Sequence, residues 1–270
     1  MHHACDLCGA DEPIPIEVAR HYVGDQEPPS ICSGCGFVYI VNRRPAREIA
    51  ASWSELFDGT YSPRSPAVIA RLTYVAETIR QQIGLEGKSV CDIGCGDGAF
   101  LEIARLMGGK PWGIEPADVG GQIAHGIPNF RGTIEDCEWE REFDIVTINW
   151  TLENTQSCTA MLNAARRLTN PDGYIVVATG SRLLVPYKKP LNRYLGTNPA
   201  DTHCFRFSAN SLVNALRRSG FEIHYLNAYA DSDVLLVIGK PSECVYPFRF
   251  PDKAQAVARF FENWHKEWSS

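Results

Sequence analysis

Val90-Cys-Asp-Ile-Gly-Cys-Gly-Asp-Gly-Ala-Phe100 decides the fold. Its first four residues are an apolar strand, the three glycines are a turn, and Ala99 onward begins a helix. Gly94, Gly96 and Gly98 let the backbone turn sharply and approach a ligand without Cβ atoms in the way. A helix N-terminus after such a turn ordinarily faces a phosphate. Here the turn carries Asp92 and Asp97, which repel phosphates, so the ligand is expected to bring positive charge. Outward from the turn, a helix over about 99–107 leads to Lys110-Pro-Trp-Gly-Ile-Glu115, a second strand ending in an acid 23 positions beyond Asp92. An acid about 20 residues past a glycine turn accepts hydrogen bonds from the two hydroxyls of a ribose, and Glu115 is assigned that role.

Two further strands follow. Phe143-Asp-Ile-Val-Thr-Ile148 is short and apolar, and Tyr174-Ile-Val-Val-Ala178 follows the turn Asn170-Pro-Asp-Gly173. Ser208 caps a helix over 209–219, and Gly220–Ile223 and Asp233–Gly239 read as the last strands. The pattern predicts an α/β fold with a parallel sheet.

The front of the chain is different. Cys5-Asp-Leu-Cys8-Gly and Cys32-Ser-Gly-Cys35-Gly are two metal knuckles separated by 23 residues. Two such turns complete a tetrahedral site of four thiolates, for which zinc is the expected ion and iron the competitor. Four protein ligands leave no open position, so the role is structural. Arg43-Arg-Pro-Ala-Arg47 marks the exit from this ribbon, and helices are expected at about 45–57 and 66–83. The expected domains are therefore 1–44 (zinc ribbon), 45–86 (helical linker and substrate-side loop), 87–240 (cofactor domain) and 241–270 (C-terminal helical extension).

The glycine turn and its surroundings resemble class I S-adenosylmethionine (SAM) methyltransferases. The resemblance implies a Rossmann-like sheet with SAM at Asp92, Gly94, Cys95, Gly96, Gly98, Glu115, Glu135, Asn149 and Trp150. With the ribbon in front, the chain resembles the zinc-ribbon sugar methyltransferases of deoxysugar and surface-polysaccharide pathways, including C-methyltransferases, over about residues 5–240. The segment Glu55–Tyr61 with Ser62 and Ser65 looks like that family's substrate-lining loop, and His203-Cys-Phe-Arg-Phe-Ser208 like its His-x-x-x-Phe-Ser element. The resemblance makes His203 the candidate base and Tyr61 a substrate contact. It differs in Thr202 before the histidine, in Asn154 after Leu152-Glu153, and in having about thirty residues after the last strand where the family continues into a second α/β domain. The implied function is methylation of the oxygen, nitrogen or carbon of a nucleotide sugar or polysaccharide precursor. An RNA methyltransferase gripping RNA through its ribbon and an inactive interaction module are the alternatives.

Composition bounds these readings. The chain has 270 residues, 44% of them hydrophobic, and a net charge of −6. A large phosphate-tracking surface is disfavoured, and a nucleic-acid partner with it. No stretch approaches the roughly 20 apolar residues of a membrane span, and the start lacks a signal-peptide core. A cytoplasmic address follows as an expectation. The long segment 180–204 is expected to wall the substrate site, with Lys188, Lys189 and Arg193 as a basic rim. The last segment, 252–268, reads as an amphipathic helix with Val257, Phe260, Phe261, Trp264 and Trp268 on one side, packed against the body or a second copy in a homodimer.

Overall fold

The computed structural model describes residues 1–23, 27–59, 64–119, 123–181, 191, 203–227, 234–244, 248 and 251–268. Tyr61, Ser62, the rim residues 188, 189 and 193, and Thr202 lie outside them.

The larger sheet has seven strands: β4 (Ser89–Ile93), β5 (Lys110–Glu115), β6 (Asn129–Arg131), β7 (Phe143–Asn149), β8 (Thr169–Thr179), β10 (Phe221–Leu226) and β11 (Leu235–Pro241). Their order is β10-β11-β8-β7-β4-β5-β6. Strands β6, β5, β4, β7 and β8 are parallel neighbours, and β11 is antiparallel to both β8 and β10. The central strands are buried on both faces, which explains why 90–93, 145–148 and 175–178 are nearly continuous apolar runs rather than alternating ones. Asn170–Gly173, expected as a turn, is instead looped out within β8. Thr169 pairs with Phe143 and Tyr174 with Ile145, so five steps along one strand oppose two on the other.

Helices α2 (Ala46–Gly59), α3 (Pro66–Gln82), α4 (Ala99–Leu106), α5 (Cys158–Leu168) and α6 (Ala209–Arg218) accompany the sheet; α1 (Arg20–Val23) is a single turn in the ribbon. The helix expected to end at about residue 57 runs on to Gly59 as α2, so residues 55–59, which the family resemblance put in a loop, are its last turn; α2 carries Trp53 and Phe57 in contact on one side. Among the described residues no helix is long and apolar enough to cross a membrane.

The ribbon sheet runs β1 (Pro13–Pro15), β2 (Ser30–Cys32), β3 (Val38–Tyr39) and then β9 (Phe205–Arg206). Its last strand comes from the far end of the chain, and Phe37, Phe205 and Phe207 pack as one aromatic stack continuous with the large core. Helix α7 (Ala254–Trp268) covers the ribbon through Val257, Phe261 and Trp264. Trp268, expected on the same buried side, lies one turn further along and is 46% exposed. Gly36 shows why the second knuckle ends in glycine. Its φ is +69°, and a Cβ there would stand 2.3 Å from the Asp252 carbonyl oxygen at the foot of α7.

Candidate active site and metal centre

A cavity of about 1030 Å³ opens at the carboxyl ends of β4, β5 and β7, where ligands collect in open α/β sheets. This is the upper end of the volume range of small-molecule sites, so it accommodates a cofactor and an acceptor together. Asp92, Gly94, Cys95, Gly96, Glu115 and Glu135 line it, as do Asn149, Trp150 and His203. Gly98 does not. It is left-handed at the start of α4 and packs beside Ala124.

The turn is locked by its own backbone. Gly94 N–H donates to the Ile114 carbonyl at 2.7 Å. Its φ is +73°, and a Cβ would clash with Thr151 Cγ2 at 2.3 Å, so only glycine fits. Glu115 reaches back from β5, accepting the Gly96 N–H on Oε2 (2.8 Å) and the Ala117 N–H on Oε1 (2.7 Å). Burial pushes its carboxyl up, and those two hydrogen bonds oppose the shift. Asp92 is more extreme. It is 2% exposed, and its Oδ1 accepts from Thr147 Oγ1 (2.6 Å) and Asn149 Nδ2 (2.9 Å). Burial raises it from 3.8 to about 7 against those hydrogen bonds, with the Glu115 charge adding to the rise. Two buried acids therefore face one end of the cavity, the arrangement a cation relieves. Asp97, by contrast, is paired with Arg64 at 2.6 Å. The Cys95 thiol is pushed up first by burial and then by Asp92, which favours its protonated form.

Trp150 closes β7 at φ +49°, unique among described non-glycine residues, and the Arg71 guanidinium of α3 sits over its ring, 5.0 Å from the centroid. Backbone strain of this kind collects at functional sites. Beyond it lies the other wall. Glu153 is 5% exposed, and among the described residues its Oε2 has no hydrogen-bond partner, as is also true of Asn149 Oδ1. Burial pushes Glu153 up, and the nearby His203 favours its carboxylate. The Cys204 N–H donates to the Glu153 carbonyl at 2.7 Å, which brings β9 and the histidine before it against this wall. The sequence places Glu153 at the end of the cofactor-side loop that begins at Asn149 but assigns its side chain no role, and it shows Arg71 only as one charge on a helix.

The four cysteines also come together. The Sγ atoms of Cys5, Cys8, Cys32 and Cys35 all lie within 4.8 Å of one another, with Cys5–Cys35 at 3.6 Å and Cys8–Cys32 at 3.3 Å. Tetrahedral Zn–S bonds of about 2.3 Å space sulfurs about 3.8 Å apart, so the donor set fits one such ion. Asp6, between the first two cysteines, binds the buried Arg43 guanidinium (2.8 Å) and accepts from Ser157 Oγ (2.9 Å).

A family model described as a methyltransferase domain matches residues 66–226. Among curated proteins, the chain is 28% identical over 144 residues to the ubiquinone biosynthesis O-methyltransferase of Proteus mirabilis (strain HI4320), covering 50% of this chain and 57% of that one. It is 24% identical over 193 residues to the mitochondrial ubiquinone biosynthesis O-methyltransferase of Schizosaccharomyces pombe (strain 972 / ATCC 24843), covering 66% and 70%. The chain thus spans little more than half the length of the first of these relatives. Among solved structures, a Burkholderia thailandensis 1,6-didemethyltoxoflavin-N1-methyltransferase with bound 1,6-didemethyltoxoflavin and S-adenosylhomocysteine superposes with a TM-score of 0.59 at 16% identity, over 86% of this chain and 100% of that one. At that identity the likeness is one of fold. The names of the curated relatives overturn the carbohydrate expectation, polysaccharide biosynthesis included, because they are O-methyltransferases of a quinone pathway.

Proposed function

Because the chain belongs to the methyltransferase-domain family, we propose that it transfers a methyl group from SAM to a hydroxyl oxygen of a small quinone-type acceptor, with both molecules in the cavity beyond β4, β5 and β7. The pair of buried acids across the glycine turn carries this reading, supported by the names of the curated relatives. Asp92 meets the ammonium end of the cofactor, and Arg71 meets its carboxylate, so that both charges of the amino-acid group are balanced. Glu115 takes the ribose. Each of its oxygens uses one acceptor site on a backbone N–H and keeps another for a hydroxyl. SAM supplies an activated methyl on a sulfonium. The chain's residues then align the acceptor, exclude water and remove one proton. Trp53, Phe57 and Trp150 offer flat apolar faces for an aromatic ring. His203 takes the hydroxyl proton, and the Glu153 carboxylate beside it stabilises the imidazolium. The four cysteines hold one structural zinc ion.

Calorimetry with SAM tests the cofactor half. Glu115→Ala is expected to weaken binding by about 1.5–3 kcal/mol, the worth of hydrogen bonds to a charged group. Gly96→Val is expected to abolish it, since the wall of the turn would be filled. Wild-type affinity in both variants would remove the assignment.

The raised carboxyl of Asp92 gives a pH dependence. Without ligand, the folded chain holds this proton more tightly than the unfolded chain does. The stabilising contribution is therefore complete below pH 3.8, the ordinary value, and is lost as pH rises through about 7. A cationic ligand reverses the preference by favouring the carboxylate. SAM affinity is thus expected to increase as pH rises from 6 to 8, with about one proton released on binding at pH 6 and little at pH 8. Titrations in two buffers of different ionisation enthalpy read the release. A flat profile in the wild-type protein, or an undiminished pH dependence in Asp92→Asn, would contradict this role.

A further inference from the structure

We infer that Asp6 is a positioning residue for the acceptor side of the cavity, so that the metal-knuckle module shapes methyl transfer while leaving cofactor binding alone. This rests on the reading above that the cavity wall formed by 153–157 and His203 receives the acceptor.

Asp6 lies between two cysteines of the first knuckle, yet its carboxylate faces away from the sulfurs into the cofactor domain. Its Oδ2 accepts from the hydroxyl of Ser157 (2.9 Å), the residue that also caps α5 by accepting the Ala160 N–H (3.2 Å). Its Oδ1 binds Arg43 Nη1, which donates as well to the Gln156 carbonyl at 2.8 Å. Arg43 Nη2 ties the group back to the Ala4 carbonyl (3.2 Å), and the guanidinium lies 4.9 Å from the Phe205 ring centroid. The side chains of the Arg43–Asp6 pair are 0% and 8% exposed.

A second connection runs through the backbone. Strand β3 pairs with β9, and the Ile40 N–H donates to the Cys204 carbonyl (2.9 Å), while the Cys204 N–H donates to the Glu153 carbonyl (2.7 Å). Cys204 follows His203 directly. The ribbon thus holds both sides of the acceptor wall, Gln156 and Ser157 through Asp6 and Arg43, and Glu153 and His203 through Cys204. The acids of the cofactor end have other supports. Asp92 is held by Thr147 and Asn149, and Glu115 by Gly96 and Ala117, all within the large sheet and its turns. Ribbon and cofactor end are joined through the shared hydrophobic core.

Deleting the Asp6 carboxylate and stripping the metal therefore have the same signature. In Asp6→Asn, metal content and the SAM Kd are expected to stay within about twofold of wild type, and kcat/KM for a catechol acceptor to fall by roughly tenfold. Ser157→Ala should do the same more weakly. Hydrogen exchange on the full chain supplies a readout independent of turnover. Chelation is expected to lower amide protection roughly tenfold or more in 152–161 and 203–208 while 90–101 keeps its protection, with recovery on adding zinc. Unchanged exchange in 152–161 after chelation would overturn the inference. So would equal loosening of 90–101, which would make the module a general stabiliser, or wild-type acceptor kinetics in Asp6→Asn. If the wild-type protein binds SAM but methylates no phenolic acceptor, the proposed function fails, and the exchange pattern still decides the role of Asp6.

Discussion

His203→Ala lowers methyl transfer by roughly 10²–10⁴ while leaving SAM affinity unchanged, the size expected when a positioned general base is removed. The histidine lines the same cavity as Asp92 and Glu115, and it favours the carboxylate of the buried Glu153. Protonation of the imidazole during transfer would relieve a buried carboxylate, one oxygen of which has no partner among the described residues. Loss of the imidazole should therefore remove both the proton acceptor and one of the groups that oppose the rise burial imposes on Glu153. Single-turnover rates with SAM pre-bound separate this from a binding defect. Full activity in the variant would mean that no protein base is used at this position.

Arg43→Ala is expected to destabilise the fold by about 3–5 kcal/mol, the cost of leaving one partner of a buried ion pair alone. The sequence places this arginine in a basic exit segment, but the structure buries it, 1% exposed, between ribbon and cofactor domain. Its removal strands the Asp6 carboxylate and frees the Gln156 and Ala4 carbonyls. Replacing both partners with apolar residues, Arg43→Met with Asp6→Leu, should cost much less, because no buried charge remains. Denaturant unfolding of the single and double variants checks the contrast. A single variant within about 0.5 kcal/mol of wild type would show that the junction adds nothing to stability.

What could be read in advance was local. The glycine turn, the acid closing the next strand and the cysteine knuckles each depend on spacing within a few residues, and the structure brings Asp92, Gly94, Gly96 and Glu115 to one cavity and the four cysteines to one cluster. What escaped was made by pairing across the chain. Nothing near Phe205 announces that it will join a sheet begun at Pro13. Nothing near Arg43 distinguishes a solvated charge from one sealed by Asp6 and Phe205. The looped-out Asn170–Gly173 has turn chemistry, and its glycine sits 2.7 Å, measured from an added Cβ, from the Asp144 carbonyl oxygen, so the same residues serve a bulge as well as a reversal. The acceptor was misjudged for another reason. A base and a loop constrain the geometry of proton removal, whereas the identity of the acceptor depends on the surface facing it.

The most direct test of the account is to incubate the metal-loaded protein with methyl-labelled SAM and a catechol-type quinone precursor, and to locate the label in the product. The account predicts one labelled methyl on a ring oxygen for each S-adenosylhomocysteine formed, with formation lost in the Gly96→Val variant. Label on carbon or nitrogen, or SAM left unbound and unconsumed by the wild-type protein, would contradict it.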